Sequence, residues 1–150
     1  MHSTRFIASL CAITLSALCA SAFAADAGMV KSAVGDVRVE RAGRSLPLKA
    51  GDAVQEQDRI IVPVQGSAGI TLKDDTLIGM GPKSTLAIDR YTFDSKTQEG
   101  GMQASIISGA MRFVTGLIAK SNARNVQFQV ATAVIGVRGT DFIIEAGDEK

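Results

Sequence analysis

The sequence is poor in the residue types that most often carry out catalysis or bind metal ions. Its 150 residues include no tryptophan, one tyrosine, one histidine and two cysteines. The histidine and both cysteines (His2, Cys11 and Cys19) lie within the first 24 residues. Zinc sites, cysteine nucleophiles and Ser-His-Asp triads require thiolate or imidazole groups. Beyond residue 24 the sequence therefore excludes these sites, a histidine-ligated haem and a disulfide framework. We predict no cofactor, no metal site and no catalytic residue.

Residues 1–24 have the pattern of a secretory signal peptide. A polar start that contains Arg5 is followed by about 15 apolar residues, and the segment closes with Ala22-Phe23-Ala24. Small residues on both sides of Phe23 match the site that signal peptidase recognises. We predict cleavage after Ala24 and a chain, residues 25–150, that is periplasmic or secreted and does not span the membrane.

Two alternatives to cleavage remain open. A retained anchor would need roughly 20 apolar residues to cross the bilayer, more than this segment has. A lipoprotein would attach lipid at Cys19, but the preceding residue is Leu18, where a small residue is usual. Both alternatives fit the sequence less well than a cleaved signal peptide.

Positive and negative charges are almost balanced. The whole chain has 16 basic and 15 acidic residues, and loss of Arg5 with the signal peptide leaves equal numbers. Proteins that bind nucleic acid rely on a basic surface that neutralises phosphates. The sequence therefore predicts no nucleic-acid partner. Its length favours one domain over residues 25–150.

Alternation of apolar and polar residues is the dominant pattern. It recurs at residues 37–39, 68–72, 86–88 and 126–130, which predicts strands with one buried face. Uninterrupted apolar runs at 60–62 and 142–144 are typical of strands covered on both faces. Turn residues recur about every 8 to 12 residues. We predict an all-β fold, an antiparallel β-sandwich of jelly-roll type, with a short β-solenoid as the alternative.

Three segments are less regular. Residues 105–114 fit either two strands around Gly109 or a short helix, and we favour strands at 106–107 and 111–114. Residues 116–124 have room for one helical turn, and we expect a loop at 121–125. The polar residues 94–101, which end in two glycines, predict a mobile loop.

Three stretches carry a family resemblance. The first comprises Gly-Asp-Val-Arg-Val at 35–39, Leu-Lys-Ala-Gly-Asp at 48–52 and Asp-Arg-Ile at 58–60, and the second spans 67–84. The third and most specific, at 130–142, reads Val-Ala-Thr-Ala-Val-Ile-Gly-Val-Arg-Gly-Thr-Asp-Phe. In order and spacing they resemble the FecR domain family, named after a regulator of bacterial iron uptake. The resemblance covers about residues 29–145.

The sequence departs from the family pattern at three points. Ala133 stands where a proline usually follows the threonine, and Asp75 stands where the family turn has glycine. Relatives commonly continue for a further hairpin beyond the position of Lys150. We therefore expect either that the last strand is an exposed edge or that the sequence is a piece of a longer protein.

The resemblance implies a regulatory role. The named family member spans the membrane and relays a signal from an outer-membrane receptor to a cytoplasmic sigma factor, which requires a cytoplasmic segment that we do not predict here. What the resemblance implies for this chain is the exported β-domain alone. We expect a non-catalytic envelope module, similar to the periplasmic signal-receiving domain, that binds another envelope protein or an envelope polymer through a loop end or an unpaired edge strand. Strand addition at the edge near residues 142–145 is one physically reasonable mode.

The motif segment supplies the candidate site residues. They are Gly136, Val137, Arg138, Gly139, Thr140, Asp141 and Phe142. The flanking glycines and apolar neighbours favour a buried Arg138 that fixes strand register and pairs with Asp141 or Asp36. The alternatives are a guanidinium that binds an anion or carboxylate ligand, and an exposed contact at the rim.

Two other motifs have ordinary explanations. Residues 79–85 resemble a phosphate-binding loop, but Pro82 stands where glycine is needed before the lysine and has no N–H to offer, so we predict a hairpin turn. Asp74 and Asp75 supply too few oxygen ligands for a calcium ion, and we predict that they form a turn. A carboxylate-based hydrolase is a third functional hypothesis, which the scarcity of aromatic sugar platforms disfavours.

Overall fold

A computed structural model describes residues 25–131 and 133–147 of the chain. The predicted signal peptide at 1–24, Thr132 of the motif and residues 148–150 lie outside the described residues. The strands of the described part are β1 (Asp26–Val34), β2 (Arg38–Arg41), β3 (Arg44–Pro47), β4 (Ala53–Gln55), β5 (Arg59–Ile61), β6 (Ser67–Leu72), β7 (Leu77–Met80), β8 (Thr85–Phe93), β9 (Gly100–Val114), β10 (Val126–Val130), β11 (Ala133–Gly136) and β12 (Asp141–Ala146). Between β9 and β10 lie a short helix, α1 (Leu117–Ser121), and a 3₁₀ turn (Ala123–Asn125).

The long strand β9 organises the sheet. Its first part pairs with β8 on one side and with β10 on the other, and its last part pairs with β7 and β12. The change of partners falls around Gly109, which has a φ of 84° that favours glycine. From β9 one arm runs through β7, β6 and β1 to β4, and the other through β8, β5 and β2 to β3. One curled sheet therefore contains all twelve strands.

The all-β prediction is confirmed. Among the pairings in the described part of the chain, only β9 with β10 is parallel. The coils of a β-solenoid stack in parallel, so the solenoid alternative does not describe this fold. The jelly-roll arrangement of a sandwich stays a prediction.

Apolar residues that alternate with polar ones along the strands pack into a single core. Both arms contribute to one apolar cluster, in which Ile70 and Ile78 belong to one arm and Ile60 and Ile88 to the other. Three aromatic rings lie where β9, β10 and β12 meet. The ring centroids are 4.3 Å apart for Phe113 and Phe128, 5.7 Å for Phe113 and Phe142, and 5.6 Å for Phe128 and Phe142. Such contacts stabilise by about 1 kcal/mol each beyond area burial, and they attach β10 and β12 to β9.

A partly buried ion pair joins β2 to the turn before β5. The guanidinium of Arg41 donates two hydrogen bonds to the carboxylate of Asp58, at 2.7 and 2.6 Å, and a third to the Ala53 carbonyl at 3.0 Å. Asp58 is fully buried and also accepts a hydrogen bond from the Gln55 N–H. Because a buried carboxylate is costly unless it is paired, this network fixes the turn.

Some local expectations are corrected. The two strands predicted at 106–107 and 111–114 exist, but as parts of β9. The predicted loop at 121–125 is largely the end of α1 and the 3₁₀ turn, which Asn122 caps by accepting a hydrogen bond from the Arg124 N–H. The expected 94–101 loop is shorter than predicted, because its two glycines lie in β9.

The apolar run at 142–144 is also different from the prediction. Ile144 is buried, but Ile143 is 70% exposed, so β12 is covered on one face only. In the run at 60–62, Ile60 and Val62 are buried and Ile61 is partly exposed, so the second face of β5 is covered only in part. None of the helical segments in residues 25–131 and 133–147 is long and apolar enough to cross a bilayer.

Candidate interaction surface

The motif segment forms a groove between β11 and β12. The groove has a volume of about 450 Å³ and is lined by residues 135–139 and 141–145. The structure thus brings six of the seven candidate residues, all but Thr140, to one surface feature. We refer to this groove as the β11–β12 groove.

Both strands beside the groove are edge strands. Within the described residues, β11 pairs with β10 alone and β12 pairs with β9 alone. Each therefore has one side on which backbone N–H and C=O groups have no strand partner in that part of the chain. Large apolar side chains add to this edge, since Val134 is 63% exposed and Ile143 70%. Unpaired strand edges with exposed apolar side chains are sites at which another strand can add.

Arg138 is exposed, and the prediction of a buried, register-fixing arginine is wrong. The glycines beside it do not mark close backbone packing, because a Cβ on Gly136 or Gly139 would have no atom within 4 Å. Nor do the expected carboxylates pair with it. Asp141 accepts hydrogen bonds from Arg112, and Asp36 lies 3.6 Å from Arg38.

The cross-strand contact on this face is made by a different arginine. Nε of Arg112 on β9 donates to Oδ1 of Asp141 on β12 at 2.9 Å, and its Nη2 donates to Oδ2. These hydrogen bonds lower the pKa of the Asp141 carboxyl below its ordinary value and raise that of Arg112. Both side chains are largely exposed, so the pair orients β12 more than it stabilises the fold.

The rest of the motif holds the groove in place. Val137 is buried and Phe142 packs against the core, while Arg138 and Asp141 remain on the surface. The Thr115 N–H donates to the Thr140 carbonyl at 2.8 Å, which ties the start of β12 to the end of β9. The motif therefore splits into residues that anchor the segment and residues that a partner can reach.

One buried polar cluster could not be found from the sequence pattern. Asp74, in the turn between β6 and β7, accepts hydrogen bonds from Thr76 Oγ1 at 2.7 Å and from the Tyr91 hydroxyl at 3.1 Å. The Gly116 N–H donates to Thr76 Oγ1, and the Leu117 N–H donates to the Asp74 carbonyl, which places α1 over the turn. Burial is the main reason that the pKa of Tyr91 is raised, and the negative charge of Asp74 is the second. The presence of a single tyrosine in the sequence could have drawn attention to Tyr91, but nothing in the neighbouring sequence indicates that Asp74 is its partner.

The two remaining motifs behave as turns. Asp74 is buried while Asp75 is exposed, so these carboxylates do not share one environment. Residues 81–84 connect β7 to β8, and the Ser84 hydroxyl lies within hydrogen-bonding distance of the Ala110 carbonyl, at 3.2 Å. In the described part of the chain, no group of three or more His, Cys, Asp or Glu side chains is placed to hold a metal ion.

Comparison with known families supplies the assignment. A family model described as "FecR protein" matches residues 58–150, more than half of the chain. The chain belongs to the FecR family. This family is regulatory and non-enzymatic, and its domains are typically associated with the cell envelope. No curated protein and no solved structure matched the chain. The matched residues begin at Asp58, just before β5, and β1 to β4 lie before them although they belong to the same sheet.

Proposed function

We propose that this FecR-family chain is a non-catalytic envelope module that binds an extended segment of a partner protein by strand addition at β12. Cleavage after Ala24 would deliver residues 25–150 to the periplasm or the exterior. The observation that carries the proposal is that β12 pairs on one side only within the described residues, with Ile143 70% exposed. A module of this kind passes on a signal when the partner segment binds to it, and binding needs no catalytic group.

Among the strands that have a single partner in the described part, β12 is the best template. It has six residues, whereas β3 and β11 have four each and β4 has three. A longer edge offers more backbone hydrogen bonds, each worth about 1 kcal/mol net. β3 also ends in Pro47, which has no N–H to donate.

The exposed face of β12 indicates what the partner segment carries. Asp141, Ile143 and Glu145 alternate along this face, and Asp141 is already paired with Arg112. A strand added beside β12 places its own side chains opposite these residues. We therefore expect an apolar partner residue opposite Ile143, with a lysine or arginine that reaches Glu145.

Site-specific photocrosslinking in living cells tests this proposal. p-Benzoylphenylalanine is introduced in place of Ile143 and, as a matched control, in place of Val64, which is 63% exposed in the β5–β6 connection. We expect a covalent adduct of defined mass at position 143 and none at position 64. A synthetic peptide of the crosslinked segment should then bind the purified protein and slow hydrogen exchange of the amides of residues 141–146.

Two results would contradict strand addition. One is an equal yield of adducts at both positions. The other is a peptide that binds without protecting the β12 amides. Ile143→Asp gives an independent check, since it should weaken peptide binding while Val64→Asp should not. Because Ile144 is buried, substitutions there would test folding rather than binding.

A second candidate function is the binding of a small anion, which the exposure of Arg138 in the β11–β12 groove favours. A guanidinium binds carboxylate and phosphate through paired N–H donors. Titration with inorganic phosphate and with acetate, followed by amide chemical shifts, should move the signals of residues 136–141. Arg138→Ala should abolish these shifts with the fold unchanged; shifts that persist in the variant would exclude this site.

A further inference from the structure

A second groove lies on the outer face of β8, β9 and β10. It has a volume of about 330 Å³ and is lined by side chains from these three strands and from the 3₁₀ turn. The residues that matter here are Arg90, Thr92, Gln103, Arg124, Asn125 and Gln127. We refer to it as the β8–β10 groove.

Strand register places these side chains in rows. Arg90 lies opposite Gln103, and Gln103 lies opposite Gln127, so one row crosses all three strands. The alternating residues Tyr91, Met102 and Phe128 are buried, which puts the row on the outer face.

Among the described residues, the groove has positive charge without an acidic counterpart. Its two charged residues, Arg90 and Arg124, are exposed, and no aspartate or glutamate of residues 25–131 and 133–147 lines it. The ion pairs in the described part of the chain involve other arginines. Arg90 comes from β8 and Arg124 from the turn before β10, two strands away, or about 10 Å at the usual strand spacing. A ligand between them meets a guanidinium from each wall.

The uncharged side chains indicate what else the ligand carries. Gln103, Gln127 and Asn125 each have an amide that both donates and accepts, and Thr92 has a hydroxyl. One donor is already used, since Nδ2 of Asn125 donates to the Gly100 carbonyl at 2.9 Å. Amides in a row across neighbouring strands match neighbouring hydroxyls of a sugar, and guanidinium groups match carboxylates. We propose that the β8–β10 groove binds an acidic oligosaccharide, a sugar chain that carries carboxylates.

Gly101 forms part of the floor of the groove and places no side chain there. A Cβ at this position would meet Asn125 O at 3.7 Å and Thr92 Oγ1 at 3.8 Å, which are ordinary contacts. The strand therefore does not need glycine here, in contrast to Gly100, where a Cβ would collide with the Thr92 carbonyl. The missing side chain leaves room for a ring to lie against the backbone of β9.

No aromatic side chain from the described residues lines the groove, so these residues do not offer the stacking that holds many neutral sugars. Affinity must come from the two arginines and the amides, and it should fall as salt screens the charges. This requirement separates the proposed ligand from a neutral sugar chain.

Calorimetric titration with an oligomer of galacturonic acid tests the proposal, with its methyl ester as the neutral counterpart. We expect the acid to bind, the ester to bind at least tenfold more weakly, and raised salt to weaken the acid. Arg90→Gln and Arg124→Gln should each cost about tenfold in affinity, as loss of a hydrogen bond to a charged group predicts. Arg44→Gln, at an exposed arginine on β3, is the matched control and should have no effect.

Substitution at the floor gives a second, independent test. Gly101→Leu should abolish binding and leave the thermal unfolding midpoint almost unchanged. Gly79→Leu is its control, because Gly79 on β7 also has room for a Cβ, with the nearest atom, Arg112 Cβ, at 3.9 Å. Four results would overturn the proposal: no binding of the acid, equal binding of the ester, equal weakening by Arg44→Gln, or equal binding of polyglutamate through the same arginines, which would assign the groove to acidic peptides.

Discussion

The Tyr91 hydroxyl donates a hydrogen bond to Oδ1 of Asp74 at 3.1 Å and accepts one from the Asp74 N–H at 3.0 Å. Tyr91 lies on β8 and Asp74 in the β6–β7 turn, so this double contact joins the two arms of the sheet. Asp74 is fully buried and Tyr91 nearly so. Each needs the other, since neither polar group has ready access to water.

Tyr91→Phe should therefore destabilise the fold. It leaves the Asp74 N–H without an acceptor and the Asp74 carboxylate with one donor fewer, at a cost of about 2 kcal/mol. Urea unfolding followed by circular dichroism measures the change. Asp75→Asn, at the exposed neighbour, is the control and should stay within about 0.5 kcal/mol of the parent. Equal stability of the Tyr91→Phe variant and the parent would contradict the role assigned to the hydroxyl.

The same contact predicts a pH dependence. Burial and the nearby carboxylate raise the pKa of Tyr91 above its ordinary value of 10.0. The folded chain keeps the phenol proton at a pH where the unfolded chain loses it, so stability that is present below pH 10.0 is lost as pH rises above that value. Tyr91→Phe should remove this part of the alkaline loss.

Ultraviolet absorbance provides a direct readout of that titration. The sequence has one tyrosine and no tryptophan, so the phenolate band reports Tyr91 alone. We expect the urea-unfolded chain to develop the band near pH 10.0 and the folded chain to develop it only at higher pH. Coincident titration curves would show that the hydroxyl is not held as the structure has it.

The turn that contains Asp74 offers a stabilising substitution. Asp75 has a φ of 65°, in the left-handed region that costs residues with a side chain about 1 kcal/mol. Asp75→Gly should remove that strain, and the greater entropy of glycine in the unfolded chain should offset part of the gain. We expect a net stabilisation of about 0.5 kcal/mol by urea unfolding. Lys73→Gly, two residues earlier, should destabilise instead; the same sign for both variants would contradict the argument.

The strands were largely predictable because alternation is a local property. Residues 68–72 lie in β6 and residues 126–130 form β10, and the expected apolar residues are buried except Val130, which is partly buried. Arg138 was not predictable in the same way. Its apolar neighbours and glycines suggest burial, but burial depends on whether another strand covers β11 and β12, which local sequence does not specify.

The polar sites could not be predicted either, because they depend on contacts between residues far apart in the sequence. Tyr91 and Asp74 are 17 residues apart, and only the pairing of the strands between them brings them together. Arg90 and Arg124 line one groove because β10 returns parallel to β9 after α1, a connection that periodicity does not show. Residues 136–142 could be named as a motif, whereas the groove they border required the structure.

The Arg112–Asp141 pair makes a prediction for β12. Hydrogen bonds from Arg112 lower the pKa of the Asp141 carboxyl below 3.8. Any stability from this pair is present above that pH and is lost as pH falls through the lowered pKa. In an NMR titration of the side-chain carboxyl carbons, Arg112→Gln should return the pKa of Asp141 toward 3.8. Arg38→Gln should leave it unchanged, and an unshifted Asp141 in Arg112→Gln would show that the pair does not form in solution.

Gly116 should be the least replaceable glycine near α1. A Cβ there would overlap the Asp74 carbonyl and lie 2.5 Å from the Thr76 nitrogen, both of them backbone atoms that hold the buried turn. Because neither can move without breaking the Tyr91–Asp74 contact, Gly116→Ala should cost about 3 kcal/mol. Gly136→Ala, where a Cβ would meet no atom within 4 Å, should change stability little. Urea midpoints of the two variants decide the matter, and equal midpoints would mean that α1 does not pack on the turn as the structure places it.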